Sequence, residues 1–152
     1  MTAITHRVQF FEVLCRHCRR GFSIPLLGDQ SYGQFVFHGE RGGVFGYLSA
    51  FDEPTWEDIS ERLGRAGLFT ASRSPADIDR FQQVVAASAD LISGQKLVLL
   101  PVCPACRSQS VEYDDSKPLE IREIPGVTFG GYQRLSDESR IEGLRQLWKE
   151  CV

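Results

Sequence analysis

The chain has 152 residues, of which 42% are hydrophobic and 24% are charged, and its formal net charge is −3. This length and composition predict a single globular domain, 1–152, with enough apolar side chains to build a core. No run approaches the roughly 18 apolar residues that a membrane-spanning helix needs. The first residues lack the basic and apolar regions of a secretory signal, so we expect a cytoplasmic protein without a membrane span.

The charge is distributed unevenly along the chain. Residues 1–27 carry four arginines against one glutamate, whereas residues 28–95 carry five arginines against ten carboxylates. The acidic total argues against non-specific nucleic-acid binding, which needs a strongly positive surface. A small basic patch remains compatible with the first segment.

The first predicted elements surround two cysteines. Cys15 and Cys18 lie in CRHC, between the β-rich runs VQFFEVL and GFSIPLL. This pattern predicts a strand, a tight turn that carries both thiols, and a second strand.

A β-hairpin is predicted next, in GQFVFHGERGGVFGYLSAF. Phe35 and Phe37 alternate on one strand, Phe45 and Tyr47 alternate on the other, and GERGG supplies the turn. We interpret the four aromatic side chains as core, with a contact surface as the alternative.

Three helices are predicted from their capping residues. They are PTWEDISERLGRAG with Thr55 as N-cap, SPADIDRFQQVVAASADLISG with Ser74 as N-cap, and SDESRIEGLRQLWKE with Ser136 as N-cap. The apolar face of the last helix is expected to pack on the core rather than on a partner. The segment VTFGGYQRL before it is predicted to form a turn.

A second pair of cysteines precedes the C-terminal part of the chain. Cys103 and Cys106 lie in CPAC, between the apolar run KLVLL and the short extended run SVEY. The pattern of strand, CxxC turn and strand therefore occurs twice. Four thiolates at about 2.3 Å satisfy a tetrahedral metal ion completely, which is the structural rather than the catalytic arrangement.

These residues predict a zinc site formed by Cys15, Cys18, Cys103 and Cys106, with iron as an alternative occupant. A redox role or free thiols is the competing interpretation. It is less favoured because a thioredoxin-like CxxC opens a helix, and neither pair is followed by a helical pattern. His17 lies inside the first pair, and we expect its ring to face solvent rather than to bind the metal.

The segments CRHCRRGFSIP and CPACRSQSVEYD resemble the two knuckles of a zinc ribbon, a family whose site geometry is shared with rubredoxin. The family commonly has Gly after each pair, where this chain has Arg19 and Arg107. The resemblance implies an α+β fold in which a small antiparallel zinc-ribbon sheet is built from 7–27 and 96–113. Residues 28–95 would form an insertion with a hairpin and helices, and 114–152 an extension that ends in a helix.

No arranged set of catalytic residues is visible in the sequence, so we expect a protein that is not an enzyme. We predict a protein-protein interaction module with a structural zinc site that binds a basic partner, as inhibitors or immunity-type proteins do. Its predicted contact residues are acidic: Asp52, Glu53, Glu57 and Glu61. The alternative is a nucleic-acid-binding regulator that uses the basic first knuckle, through Arg16, Arg19, Arg20 and Phe22. The oligomeric state is left open.

Overall fold

The computed structural model describes residues 4–28, 32–70 and 74–151, without the side chains of Asp114 and Asp115. Within these ranges the chain has the predicted α+β fold, with two antiparallel three-stranded sheets and four helices. The strands are β1 Thr5–Cys15, β2 Gly21–Pro25, β3 Gln34–Gly39, β4 Phe45–Ser49, β5 Leu97–Val98 and β6 Val111–Pro125. The helices are α1 Pro54–Arg65, α2 Pro75–Ser88, α3 Gly130–Gln133 and α4 Asp137–Glu150.

The described residues fall into two compact units. Unit 1 lies within Met1–Ser49 and Leu91–Val127 and contains all six strands. Unit 2 lies within Ala50–Asp90 and Thr128–Val152 and contains the four helices. The predicted insertion is therefore shared between the units, because its hairpin belongs to unit 1 and its helices belong to unit 2. That 1–152 forms a single domain stays a prediction.

The first sheet has the order β2-β1-β6, and both of its strand pairs are antiparallel. Its central strand β1 is buried at Val8, Phe10 and Val13, where apolar side chains alternate with more exposed ones. β6 is much longer than the predicted run SVEY and shifts register twice along β1. The sheet therefore joins the strands on both sides of the first cysteine pair to the strand that follows the second pair.

The second sheet has the order β4-β3-β5 and contains the predicted hairpin. The run KLVLL contributes only the two-residue strand β5, which pairs with β3 instead of with the strands of the first sheet. Phe37 is fully buried, the ring of Phe45 packs edge-on against Phe10 at 5.4 Å, and Tyr47 stacks on His6 at 3.9 Å. The hairpin aromatics therefore belong largely to the core of unit 1.

Unit 2 is held together by its helices and an aromatic cluster. The rings of Phe69 and Phe81 stack at 4.7 Å, and Trp148 of α4 lies 5.9 Å from Phe69. Arg80 donates to the carbonyl of Trp148 at 2.7 Å and covers its ring. α4 therefore docks within unit 2, as its apolar face predicts.

The N-terminal caps agree with the prediction except at α1, and α2 ends at Ser88, before the predicted stop at Gly94. Ser74 and Ser136 cap α2 and α4 as predicted. α1 is instead capped by Glu53, whose carboxylate accepts from the N–H of Thr55 at 3.2 Å. The prediction of Thr55 as N-cap was wrong because Pro54 already adopts helical geometry as the first residue of the helix. Thr55 is buried and its hydroxyl accepts from Gln133 at 3.0 Å.

The segment predicted as a turn before α4 contains the short helix α3. Its first N–H groups, those of Gly130 and Gly131, donate to the two carboxylate oxygens of Asp90 at 2.8 and 2.9 Å. The hydroxyl of Thr128 donates to the same carboxylate at 2.7 Å. Burial alone would raise the pKa of Asp90, but these hydrogen bonds and the nearby charge of Arg134 lower it. A distant carboxylate therefore supplies the cap that the local sequence lacks.

Candidate metal centre

The first cysteine pair lies in a tight turn between β1 and β2, the first knuckle (15–20). Cys15 is the last residue of β1, and its N–H donates to the carbonyl of Arg20 at 2.9 Å. The N–H of Arg19 donates back to the carbonyl of Cys15, also at 2.9 Å. These two bonds close the turn and place Cys18 beside the end of the strand.

The second cysteine pair lies in a turn of the same construction, the second knuckle (103–108). The N–H of Cys103 donates to the carbonyl of Ser108 at 2.9 Å, and the N–H of Arg107 donates to the carbonyl of Cys103 at 2.7 Å. Arg19 and Arg107 both have positive φ, 63° and 64°. The arginines therefore adopt the left-handed conformation that glycine provides more easily, and both turns are compatible with zinc-ribbon knuckles.

The four sulfur atoms converge on one point. Cys15 Sγ lies 3.5 Å from Cys106 Sγ, and Cys18 Sγ lies 3.7 Å from Cys103 Sγ. All four lie within 4.8 Å of one another. A tetrahedral ion with metal–sulfur bonds of about 2.3 Å requires sulfur–sulfur separations of about 3.8 Å. The cluster therefore fits a metal ion, as the sequence predicts for Cys15, Cys18, Cys103 and Cys106.

The arrangement of the thiols differs from that of a redox pair. The contacts Cys15–Cys106 and Cys18–Cys103 both run between the knuckles, and all four thiols form one cluster rather than two separate CxxC pairs. The first knuckle leads into β2 and the second leads toward β6, and neither leads into a helix. A thioredoxin-like motif needs the helix N-terminus to stabilise its thiolate.

Backbone N–H groups of both knuckles favour the thiolate forms of Cys15 and Cys106. The N–H of Cys18 lowers the pKa of Cys15 to about 6, against the effect of burial and with help from the N–H of His17 and the neighbouring thiols. The N–H of Ser108 favours the thiolate of Cys106, but burial and the three other cysteines outweigh it and raise that pKa to about 12. Burial and hydrogen bonds from the Cys106 thiol to the neighbouring sulfurs stabilise its protonated form, whereas a bound divalent cation would favour the thiolate.

The turn of the β3–β4 hairpin supports the second knuckle. Gly42 is buried with φ of +81°, and a Cβ there would lie 2.7 Å from the carbonyl oxygen of Val102 and 2.8 Å from Pro104. The buried side chain of Gln95 accepts from the N–H of Arg41 at 2.9 Å and donates to the carbonyl of Gly42 at 3.1 Å. Sequence reasoning missed this contact, although the glycine pair in GERGG marked the turn.

The three arginines predicted to bind nucleic acid lie within the first knuckle and are exposed. Arg16, Arg19 and Arg20 are exposed, and Arg19 pairs with Glu112 of β6 at 3.3 Å. Phe22 is partly buried against the core, so its ring is less available for stacking on a base than the sequence suggests. Arg107 of the second knuckle is also exposed and was not predicted, although its place after the second CxxC matches that of Arg19.

His17 and Cys151 lie outside the sulfur cluster. The ring of His17 is exposed, as predicted. Cys151 follows α4 in unit 2, and burial raises the pKa of its thiol. Among the described residues, the candidate metal ligands are therefore the two pairs of cysteines.

The predicted partner-binding residues are part of unit 2, whereas the cysteines are part of unit 1. Asp52, Glu57 and Glu61 are exposed, and Glu61 lies 3.9 Å from Arg65 on the same helix. Glu53 differs from them because its carboxylate is used to cap α1.

Comparisons of the chain with protein families, with curated proteins and with solved structures found no match. Among the described residues, no helix is both long enough and apolar enough to span a membrane. The structure shows a group of four cysteines that could hold a metal ion. This group is compatible with a pair of zinc-ribbon knuckles.

Proposed function

We propose that the four cysteines hold one structural zinc ion, with iron as the alternative occupant. The single observation that carries this proposal is the convergence of four thiols from two knuckles with matching backbone hydrogen bonds. Four thiolates complete the coordination of zinc, so no position is left for an activated water. The ion would join two turns whose cysteines are up to 91 positions apart in the chain.

We further propose that the protein is a non-catalytic interaction module of the cytoplasm that binds a basic protein partner. The closed thiolate site supports a structural role for the metal, and the exposed carboxylates Asp52, Glu57 and Glu61 provide an acidic surface on unit 2. Masking of a basic active site, as inhibitors and immunity-type proteins do, is the form of binding that this charge favours.

Titration against the basic partner, once captured from its native cell, tests this function. If the protein is a binder, the change in the partner's activity reaches a plateau at a molar ratio of about one to one. The activity at this plateau stays constant with time. The double variant Glu57→Lys/Glu61→Lys should lower the association rate about tenfold at low salt, since surface charges act mainly on the on-rate. Glu138→Lys/Glu142→Lys, also exposed carboxylates one turn apart in unit 2, is the matched control.

Two results would contradict the proposal. Completion of a reaction by a substoichiometric amount of the protein would identify an enzyme. An equal loss of association rate in both double variants would assign the effect to net charge rather than to the surface on α1.

Nucleic-acid binding is a second candidate because exposed arginines occur on both knuckles. Arg16, Arg19 and Arg20 of the first knuckle and Arg107 of the second could contact phosphates. Fluorescence anisotropy with single-stranded RNA and DNA tests this: affinity should fall steeply with salt, and Arg16→Ala/Arg20→Ala should reduce the salt slope by about two phosphate contacts. No binding at low salt would exclude this candidate.

A further inference from the structure

The outer edge of β6 is a second surface that could bind another chain. β6 pairs with β1 along one edge, and among the described residues no strand pairs with its other edge between 111 and 123. Leu119 and Ile121 are large apolar residues that are 37% and 54% exposed. An exposed strand edge with apolar side chains is a template for further strand pairing.

The hydrogen-bonding pattern shows which backbone groups point outward. Gln9 is opposite Ile121, and the carbonyl of Gln9 accepts from Leu26 on the β2 side, away from β6. Gln9 and Ile121 are therefore a non-hydrogen-bonded pair, and the N–H and carbonyl of Ile121 point to the free edge. The N–H of Gly126 donates to the carbonyl of Ile4, so the backbone groups of Gly126 point toward β1. Because these directions alternate along a strand, the N–H and carbonyl of Glu123, like those of Ile121, point to the free edge.

The two halves of this edge differ in how they are protected. One register shift lies between Glu112 and Lys117 and a second between Pro118 and Ile121. These shifts, together with Lys117 and Pro118, are features that natural proteins use to prevent strand addition. At the register shift next to Ile121, the side-chain amide of Gln9 donates to the carbonyls of Phe10 and Leu119. From Ile121 to Pro125 the register along β1 is regular, so this half keeps straight, outward-facing backbone groups.

The charges around Ile121 are self-complementary. Glu120 and Arg122 flank it, pair with each other within the chain, and remain 55% and 46% exposed. When two antiparallel copies of β6 meet with Ile121 opposite Ile121, Glu120 of each copy is opposite Arg122 of the other. Shifting the register by two residues places Arg122 opposite Arg122 or Glu120 opposite Glu120, and like charges directly opposite are destabilising.

We propose that the occupant of this edge is a second copy of the chain, which pairs β6 to β6 antiparallel with Ile121 at the two-fold axis. The two Ile121 residues exchange their N–H···O bonds, and Glu120 and Arg122 form the adjacent narrow pair, where cross-strand side chains are closest. The pairing is confined to residues 120–122 of each copy, because Glu123 would face Leu119, whose carbonyl already accepts from Gln9. The two first sheets then form one six-stranded sheet in the order β2-β1-β6-β6-β1-β2. This interface is isologous, and it depends on neither the metal nor the basic partner.

Charge variants in a mixing experiment test the register directly. Arg122→Glu makes both flanking residues acidic, and Glu120→Arg makes both basic, so each variant alone places like charges across the interface. We expect each variant to dimerise about tenfold more weakly than the native chain in sedimentation equilibrium, since two symmetric pairs become repulsive. An equimolar mixture restores opposite charges at every position, so it should form a heterodimer with at least the native affinity.

Mixing separates the interface from effects within one chain, because it changes no intrachain contact. A second variant, Ile121→Pro, removes the central N–H, which the bonding to β1 does not use, and should yield a monomer with an unchanged far-UV circular dichroism spectrum. A native chain that stays monomeric at its highest soluble concentration would overturn the proposal. So would a dimer that both charge variants retain at native affinity, or variants that do not associate when mixed.

Discussion

At the scale of single residues, the knuckles show how a strained conformation is tolerated where the surrounding structure requires it. Arg19 and Arg107 each follow a CxxC pair and each have positive φ. A non-glycine residue in this region costs about 1 kcal/mol, because its Cβ approaches the following carbonyl. The sequence departs from the zinc-ribbon pattern at these positions, but the left-handed backbone conformation is kept.

Replacing Arg107 by Gly should stabilise the protein. The glycine relieves the strain at φ of 64°, so the free energy of unfolding should rise by up to about 1 kcal/mol in chemical denaturation. Arg16→Gly is the control, because positive φ is absent at Arg16 and the flexible residue should destabilise by a similar amount. Destabilisation by both variants would mean that Arg107 makes a contact that outweighs its strain.

His38 is a deeply buried titratable residue outside the metal centre, and its pKa is shifted. It is 4% exposed, its ring packs edge-on against Phe45, and its Nδ1 has no hydrogen-bond partner among the described residues. Burial lowers its pKa to about 4. The folded state therefore keeps the imidazole neutral where the unfolded chain, with a pKa of about 6.5, already binds a proton.

This difference predicts a pH dependence of stability. His38 contributes full stability above about pH 6.5 and loses it as the pH falls through its folded pKa, so the native chain should lose about 3 kcal/mol more than His38→Leu between pH 7 and pH 4. Denaturant unfolding of both proteins at several pH values measures the difference. Both keep the cysteines, so acid release of the metal affects them equally, and parallel profiles would refute the assignment.

At the scale of elements, the hairpin turn and the second knuckle act as one structure. Gly42 approaches the backbone on both sides of Cys103, and Gln95 holds the turn in place. The geometry of the sulfur cluster therefore depends on a segment that contributes no ligand to it. Such supporting contacts orient the ligands of a metal site.

Gly42→Ala should weaken metal binding, whereas Gly43→Ala should not. Both glycines have positive φ, +81° and +77°, so both variants should lose about 1 kcal/mol of stability from backbone strain. Only at Gly42 would the added Cβ meet the backbone of Val102 and Pro104, which should cost a further 1–3 kcal/mol, roughly, and displace Cys103. Competition with a chromogenic zinc chelator measures the affinity, and equal affinities would show that the knuckle is independent of the turn.

At the scale of the whole molecule, the metal centre closes a long loop in the chain. It joins the end of β1 to the turn before β6, and the same strands pair along the first sheet. A metal ion bound by the four cysteines would therefore stabilise the same topology as the sheet, since a site that exists only in the folded state adds its binding energy to folding.

Cys103→Ser should abolish stoichiometric metal binding and lower the melting temperature by about 10 °C or more. Cys151→Ser is the control, since its thiol is not part of the cluster, and it should keep one metal per chain and melt within about 2 °C of the native protein. Elemental analysis and thermal unfolding check both. A metal-free native protein with four titratable thiols would refute the zinc site.

The sequence alone identified the four cysteines of the cluster, the hairpin and the N-caps of α2 and α4. Each of these is a local property, because CxxC spacing, alternating aromatic residues and an N-cap serine act within a few residues of chain. The cap of α1 was wrong by two positions, since Glu53 and Thr55 both carry an oxygen that can cap a helix. Local patterns of this kind leave the position of an element end uncertain by a turn.

Only the tertiary structure decided how these pieces combine. It placed β5 in the second sheet, extended β6 along β1 to Pro125, and formed α3 on the carboxylate of Asp90. It also placed Gly42 against the second knuckle and left one edge of β6 without a strand partner among the described residues. These features depend on contacts between residues far apart in the chain, and the free energy of such contacts comes from burial and pairing that no short stretch of sequence contains.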